Sequence, residues 1–200
     1  MWGMSYVSSY HHCVFSTKER RPLIPPGLQE RLWSYLGGIA RQNEMKAIEI
    51  GGVADHVHIL LSLPSTLPIA KAMQLIKGGS SKWVHESFPE HRLFGWQVKY
   101  GAFGVSVSLL DKTIQYIRNQ AEHHRKMTFQ EEFLALLKKH GIAYDERYLW
   151  ERKSAVPAGL ALDGHRVPNV ETLGYCHFSL REQERRSTVP TEKGAPATMS

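Results

Sequence analysis

The chain has 200 residues, 42% of them hydrophobic and 22% charged, and a net charge of +6. That is enough for one domain with a proper core, and it favours a polyanionic partner. Two distant cysteines, Cys13 and Cys176, indicate neither a disulfide framework nor a zinc knuckle. No run approaches the roughly 18 apolar residues of a membrane span, and Met1-Trp2-Gly3-Met4 does not begin a signal peptide, so a cytosolic protein without membrane attachment is expected.

Residues 6–17, rich in Tyr, Val, Phe and Ser, predict a first strand, followed by a basic, proline-closed loop over 18–26. Leu28, Leu32, Leu36 and Ile39 fall at helical spacing and predict a helix near 27–43. A short strand over 46–50 leads to Gly51-Gly52, read as a tight turn, and then to a strand over 53–63 stopped by Pro64. Ile69, Met73, Ile76 and Trp83 line one side of a helix near 68–87. A strand or strand pair over 97–107 is interrupted by Gly101 and Gly104. Asp111 offers N-cap chemistry to a helix near 109–124, and a last helix over 128–140 ends at Gly141.

The order β-α-β-β-α-β followed by helices predicts an α+β fold on the ferredoxin-like or RRM-like plan. It consists of an antiparallel sheet with helices on one face and C-terminal helices added. After Trp150 the sequence turns to Pro, Gly, Ser and Thr without periodicity and carries a net +1, leaving +5 in the first 150 residues. Residues 5–150 are therefore expected to form one domain, and 151–200 a disordered tail.

His56-Val57-His58 stands within the apolar run 53–63. Alternation along a strand sends both imidazoles to one face, and Val57, Ile59, Leu61 and Leu63 to the other, into a core. Two imidazoles side by side can share a divalent metal; the alternative is a pair of hydrogen-bonded strand histidines. On the helix near 109–124, Leu110, Ile114, Ile117 and Ala121 form the side expected to pack on the sheet, while Tyr116 and Gln120 stack one turn apart with His123 nearly in line. A tyrosine can attack a phosphodiester and become linked to DNA. Its phenol is a poor nucleophile at neutral pH, and a metal on two histidines and one further ligand would polarise the phosphate.

These residues give the chain a resemblance to the single-tyrosine HUH transposases of bacterial insertion sequences and their REP-associated relatives. The His-hydrophobic-His motif is His56-Val57-His58, and the nucleophile motif is Tyr116-x-x-x-Gln120. Residues 12–18, 75–82, 96–106 and 144–150 are similar as well, with Gly104 where such sequences often have Ser. The resemblance runs from about 5 to 150. It implies the ferredoxin-like fold, Tyr116 as nucleophile, and His56, His58 and Gln120 as ligands of Mg²⁺ or Mn²⁺. It further implies single-stranded DNA hairpins as substrate, a homodimer whose tyrosine helix serves the partner's histidines, and work on the bacterial nucleoid.

Around that core, Lys18, Arg20 and Arg21 form a basic loop patch expected to contact DNA, and Lys71 and Lys82 a polar side of the second helix, with a gap at Gly78 for a sugar-phosphate strand. Asp55 is expected to orient an imidazole from behind. Of His11 and His12 only one can approach a metal, and they and His123-His124 are read as structural or DNA-facing. Cys13 is read as an inert strand residue. Two competing functions are a metal phosphoesterase without a covalent intermediate, which would need more carboxylates, and a domesticated or non-catalytic hairpin-binding module, which would want exposed strand aromatics.

Overall fold

The computed structural model describes residues 6–145, 149 and 150. The expected tail, 151–200, lies outside the described residues. Four strands, β1 (Tyr10–Ser16), β2 (Lys46–Val53), β3 (His56–Ser62) and β4 (Gly101–Gly104), form one antiparallel sheet in the order β2-β3-β1-β4. Five helices accompany it: α1 (Pro26–Gln42), α2 (Ile69–Ser87), α3 (Leu110–Arg118), α4 (Gln120–His123) and α5 (Phe129–Lys139). This is the ferredoxin-like order anticipated from the sequence. Among the described residues no helix is long and apolar enough to cross a membrane.

The main core lies between the sheet and the pair α1–α2. Cys13 and Phe15 of β1 and Val57, Ile59 and Leu61 of β3 meet Leu28, Leu32, Leu36 and Ile39 of α1 and Met73, Ile76 and Val84 of α2. Each large apolar side chain buried there stabilises the fold by about 2 kcal/mol. The alternate residues of β1 and β3 face the other way. There α3 and α4 lie over β2, with α3 reaching β3, and a second core joins Val14 and Phe103 to Phe129, Leu136 and Leu137 of α5. The second face of the sheet is therefore roofed by the C-terminal helices, and the histidine pair that the sequence places on an open face is enclosed.

Three local readings change. Gly51 and Gly52 continue β2, and the chain turns three residues later, at Ala54-Asp55. The reason is packing: an added Cβ on Gly51 would stand 2.5 Å from the Ile117 carbonyl oxygen, so glycine is what lets α3 settle on the sheet. The helix near 109–124 breaks at Asn119 into α3 and α4. Asp111 sits in its first turn without capping it, Ile117 is buried, and Ala121 is exposed. α5 starts as expected, with Thr128 and Glu131 forming a reciprocal capping box.

Candidate active site

His56 and His58 are fully buried on β3, beneath α3, α4 and α5. Asp55 lies at the turn before them, and its Oδ1 accepts from His56 Nδ1 at 2.7 Å, the contact anticipated for it. His58 Nδ1 shares a hydrogen bond of 2.9 Å with Nε2 of His12, which comes from β1 on the same face. Both Nε2 atoms point into the roofed space, and neither has a hydrogen-bond partner. Burial lowers the pKa of His58 to about 4 despite the nearby Glu132 charge, and burial followed by the neighbouring His58 lowers that of His12 to about 3. Both rings are neutral at pH 7, the form that can offer a lone pair to a cation.

Tyr116 and Gln120 arrive from above. The Tyr116 ring lies 6.0 Å from that of His58 and 5.9 Å from that of His12. Gln120 is buried, and its Oε1 is a further orphaned polar atom. The single chain thus brings its own tyrosine to its own histidines, whereas the resemblance implied a tyrosine helix delivered to a partner. The cause is the short segment between β4 and α3, tightened by a 3₁₀ turn over Val107–Leu109, which folds α3 back onto β2 and β3.

At the centre stands Glu132, which the sequence reading passed over. It is 1% exposed, and its carboxylate meets both halves of the site. Oε1 accepts from the Tyr116 hydroxyl and, at 3.1 Å, from Gln120 Nε2. Oε2 lies 3.1 Å from His124 Nε2, 3.4 Å from His58 Nε2 and 3.8 Å from His56 Nε2. His56, His58, His124 and Glu132 each offer one ligand atom, all within 4.8 Å of one another. Burial alone would raise the Glu132 pKa, but the hydrogen bonds and charge of its surroundings, His58 foremost, hold it well below the usual carboxylate range. Burial, the Glu132 charge and their hydrogen bond push the Tyr116 hydroxyl well above its ordinary value. Two signals for Glu132 were present: a carboxylate in the apolar stripe of Phe129, Phe133, Leu136 and Leu137, and its position after a sound N-cap. His124, read as structural or DNA-facing, also enters this cluster, and His123 Nε2 lies 3.5 Å from the Tyr116 hydroxyl.

A cavity of about 280 Å³ opens beside Tyr116 and Glu132, with Lys112, His123, Lys139 and His140 among its lining residues. The basic loop of Lys18, Arg20 and Arg21 begins next to the site, where the Thr17 amide donates to the Asp55 carbonyl at 2.8 Å. Arg20 stands 5.6 Å over the Trp150 ring. Lys71 and Lys82 are not brought to the site: they lie on α2, in the layer across the sheet, and are engaged with Gln74 and Glu86.

Comparison with known proteins bears on this arrangement. A family model described as IS200-like transposase matches residues 5–120, more than half of the chain. The ISDra2 transposase TnpA of Deinococcus radiodurans is 27% identical over 124 residues, which cover 59% of this chain and 89% of that protein. The transposase of insertion sequence IS200 from Salmonella typhimurium is 25% identical over 122 residues, 61% of this chain and 77% of that one. A solved structure of a REP-associated tyrosine transposase bound to a REP hairpin is similar with a TM-score of 0.47 at 13% identity, over 62% of this chain and 73% of that one. With His56-Val57-His58 and Tyr116 inside the matched region, the chain belongs to the IS200-like transposase family.

Proposed function

We propose that this transposase is a metal-dependent endonuclease that cuts single-stranded DNA at hairpins through Tyr116, holds the cut end as a phosphotyrosine, and passes it to another strand. One observation carries the reading: a nucleophile-type hydroxyl and three orphaned, buried ligand atoms gather under one roof. Of the four described side-chain atoms that are buried without a hydrogen-bond partner, three are His56 Nε2, His58 Nε2 and Gln120 Oε1. Such atoms destabilise a fold unless something binds them, and two imidazoles with an amide oxygen can hold a divalent cation; of the two ions the resemblance implies, Mn²⁺ accepts nitrogen donors more readily than the harder Mg²⁺. When bound, the cation supplies the positive charge that polarises the scissile phosphate and offsets charge in the transition state.

The protein's own groups do the rest. Asp55 and His12 hold the two imidazoles with Nε2 aimed inward. Gln120 Nε2 and the Tyr116 hydroxyl share the Glu132 carboxylate, which keeps the phenol oxygen turned to the site. The cavity beside Tyr116, with Lys112 and Lys139 on its rim, is the path by which a sugar-phosphate strand approaches, and Lys18, Arg20 and Arg21 extend that positive surface beyond Asp55. His56, His58, Tyr116 and Gln120 stand together within one chain, which supports a site assembled inside a single subunit.

The test is a denaturing gel of labelled single-stranded hairpin DNA incubated with the protein and Mn²⁺ or Mg²⁺. Wild-type protein yields a covalent protein–DNA adduct that chelator abolishes. Tyr116→Phe yields none while still retarding the hairpin on a native gel, because binding rests on phosphate contacts and shape. Cleavage that survives Tyr116→Phe refutes the assignment.

A further inference from the structure

We infer that Glu132 and His124, which lie downstream of the matched family region, are direct ligands of the same cation as His56 and His58, and that Glu132 ties that cation to the nucleophile. This inference rests on the metal-dependent reading above and extends it to two residues outside positions 5–120.

The argument starts from which ring nitrogen each histidine has available. His56 Nδ1 faces the Asp55 carboxylate at 2.7 Å, and a carboxylate can only accept, so Nδ1 carries the hydrogen. His124 Nδ1 faces the Met127 carbonyl at 2.8 Å, again an acceptor, so the hydrogen is again on Nδ1. His58 Nδ1 is occupied by His12. In all three rings Nε2 is the end turned inward, and all three converge on Glu132 Oε2. A histidine tied back through one ring nitrogen with the other aimed at a shared point is the arrangement of metal-bound imidazole.

The His124 contacts sharpen this. It has an oxygen acceptor at each ring nitrogen, Met127 O and Glu132 Oε2. Either both nitrogens carry hydrogens, or a cation stands between Nε2 and the carboxylate. The second arrangement also satisfies His56 Nε2 and His58 Nε2, which are otherwise orphaned in a site without solvent access. The other oxygen of the same carboxylate accepts from the Tyr116 hydroxyl. One side chain on α5 would therefore hold both the cation and the Tyr116 hydroxyl.

The experiment uses the full chain, stripped of metal, with folding checked by circular dichroism. Mn²⁺ is titrated and the free ion followed by electron paramagnetic resonance. Cd²⁺ is titrated separately and the ultraviolet thiolate-to-cadmium absorption followed. Wild type binds one Mn²⁺ per chain, and Glu132→Gln and His124→Ala each weaken that binding at least tenfold. Glu132→Cys exchanges a hard oxygen for a soft sulfur, so it loses Mn²⁺ affinity, binds Cd²⁺ and shows the thiolate absorption, which wild type with its own cysteines lacks. The Cys variant keeps the test decisive if Glu132→Gln does not fold. Glu132→Gln binding Mn²⁺ as wild type does, or Glu132→Cys holding Cd²⁺ without the thiolate band, overturns the inference and leaves the metal-dependent reading intact. A wild-type chain that binds no Mn²⁺ overturns both.

Discussion

Replacing Gly51 with alanine should disarm Tyr116 from beneath. Gly51 pairs with His58 across β2 and β3 and lies under Ile117, the residue after Tyr116. The new Cβ would stand 2.5 Å from the Ile117 carbonyl oxygen and 3.0 Å from its Cγ2, where ordinary contact begins at 3.4 Å. The obstacle is backbone, so it cannot rotate away, and α3 must retreat by about 1 Å. Overpacking of this kind costs about 1–3 kcal/mol of stability. A shift of about 1 Å in a reacting group costs about 10²-fold in rate. The assay is single-turnover adduct formation on a labelled hairpin in Mn²⁺, alongside a thermal melt and a native-gel binding measurement. The expected result is a lower Tm, an adduct rate down about 100-fold, and unchanged hairpin binding. Gly38→Ala is the control: it sits on α1 with nothing within 4 Å of the new methyl, and it should raise stability by up to about 1 kcal/mol without touching cleavage. A Gly51→Ala protein that forms adduct at the wild-type rate would refute the placement of α3 on which the tyrosine's geometry depends.

Other outcomes follow from the same geometry. The double variant His56→Ala/His58→Ala should lose Mn²⁺ binding and adduct formation yet stay folded by circular dichroism, since Val57, Ile59 and Leu61 on the opposite side of β3 carry the packing. Mixing Tyr116→Phe protein with that double variant should restore no cleavage in a verified heterodimer, on the reading that Tyr116 serves the His58 it stands beside in its own chain; recovered nicking would show exchange between subunits. Metal-free protein should lose stability as pH falls from about 6.5 toward 4: the unfolded chain takes up protons on its histidines at the ordinary value, while folded His58 resists until about 4 and His12 until about 3, so the unfolded state binds more protons throughout that window. Chemical melts at stepped pH measure it, and a flat profile contradicts it. Cys13, fully buried with its thiol pushed up to about 12 by burial, should resist alkylation at pH 8 until the protein is unfolded, as read by mass mapping of the Cys13 peptide.

The sheet was legible because its signals are local. Period-two alternation placed His56 and His58 on one face and Val57, Ile59 and Leu61 on the other, and helical spacing marked Leu28, Leu32 and Leu36 as core. What escaped were consequences of one element lying on another. Gly51-Gly52 looks like a turn until the Ile117 carbonyl is seen above it. Ala121 continues the apolar side of an ideal helix, but the break at Asn119 turns it outward. Lys71 and Lys82 carry the expected charge, but nothing in their spacing says that the sheet stands between them and the histidines. Glu132 is the clearest case: its meaning depends on three histidines and a tyrosine from other segments, and only the folded chain shows that a carboxylate in an apolar stripe has partners to receive it.

The roof over β3 also sets a timetable. His56 Nε2 and His58 Nε2 are buried, and the cavity that opens beside Tyr116 and Glu132 is not lined by either histidine. α5 is anchored on the sheet through Val14 and Phe103, apart from the larger core under α1 and α2. Peripheral segments can open well below the cost of global unfolding, so the α5 amides should exchange hydrogen faster than those of α1 and α2. A cation held between Glu132 of α5 and the histidines of β3 would tie the helix to the sheet, and adding Mn²⁺ should then slow that exchange.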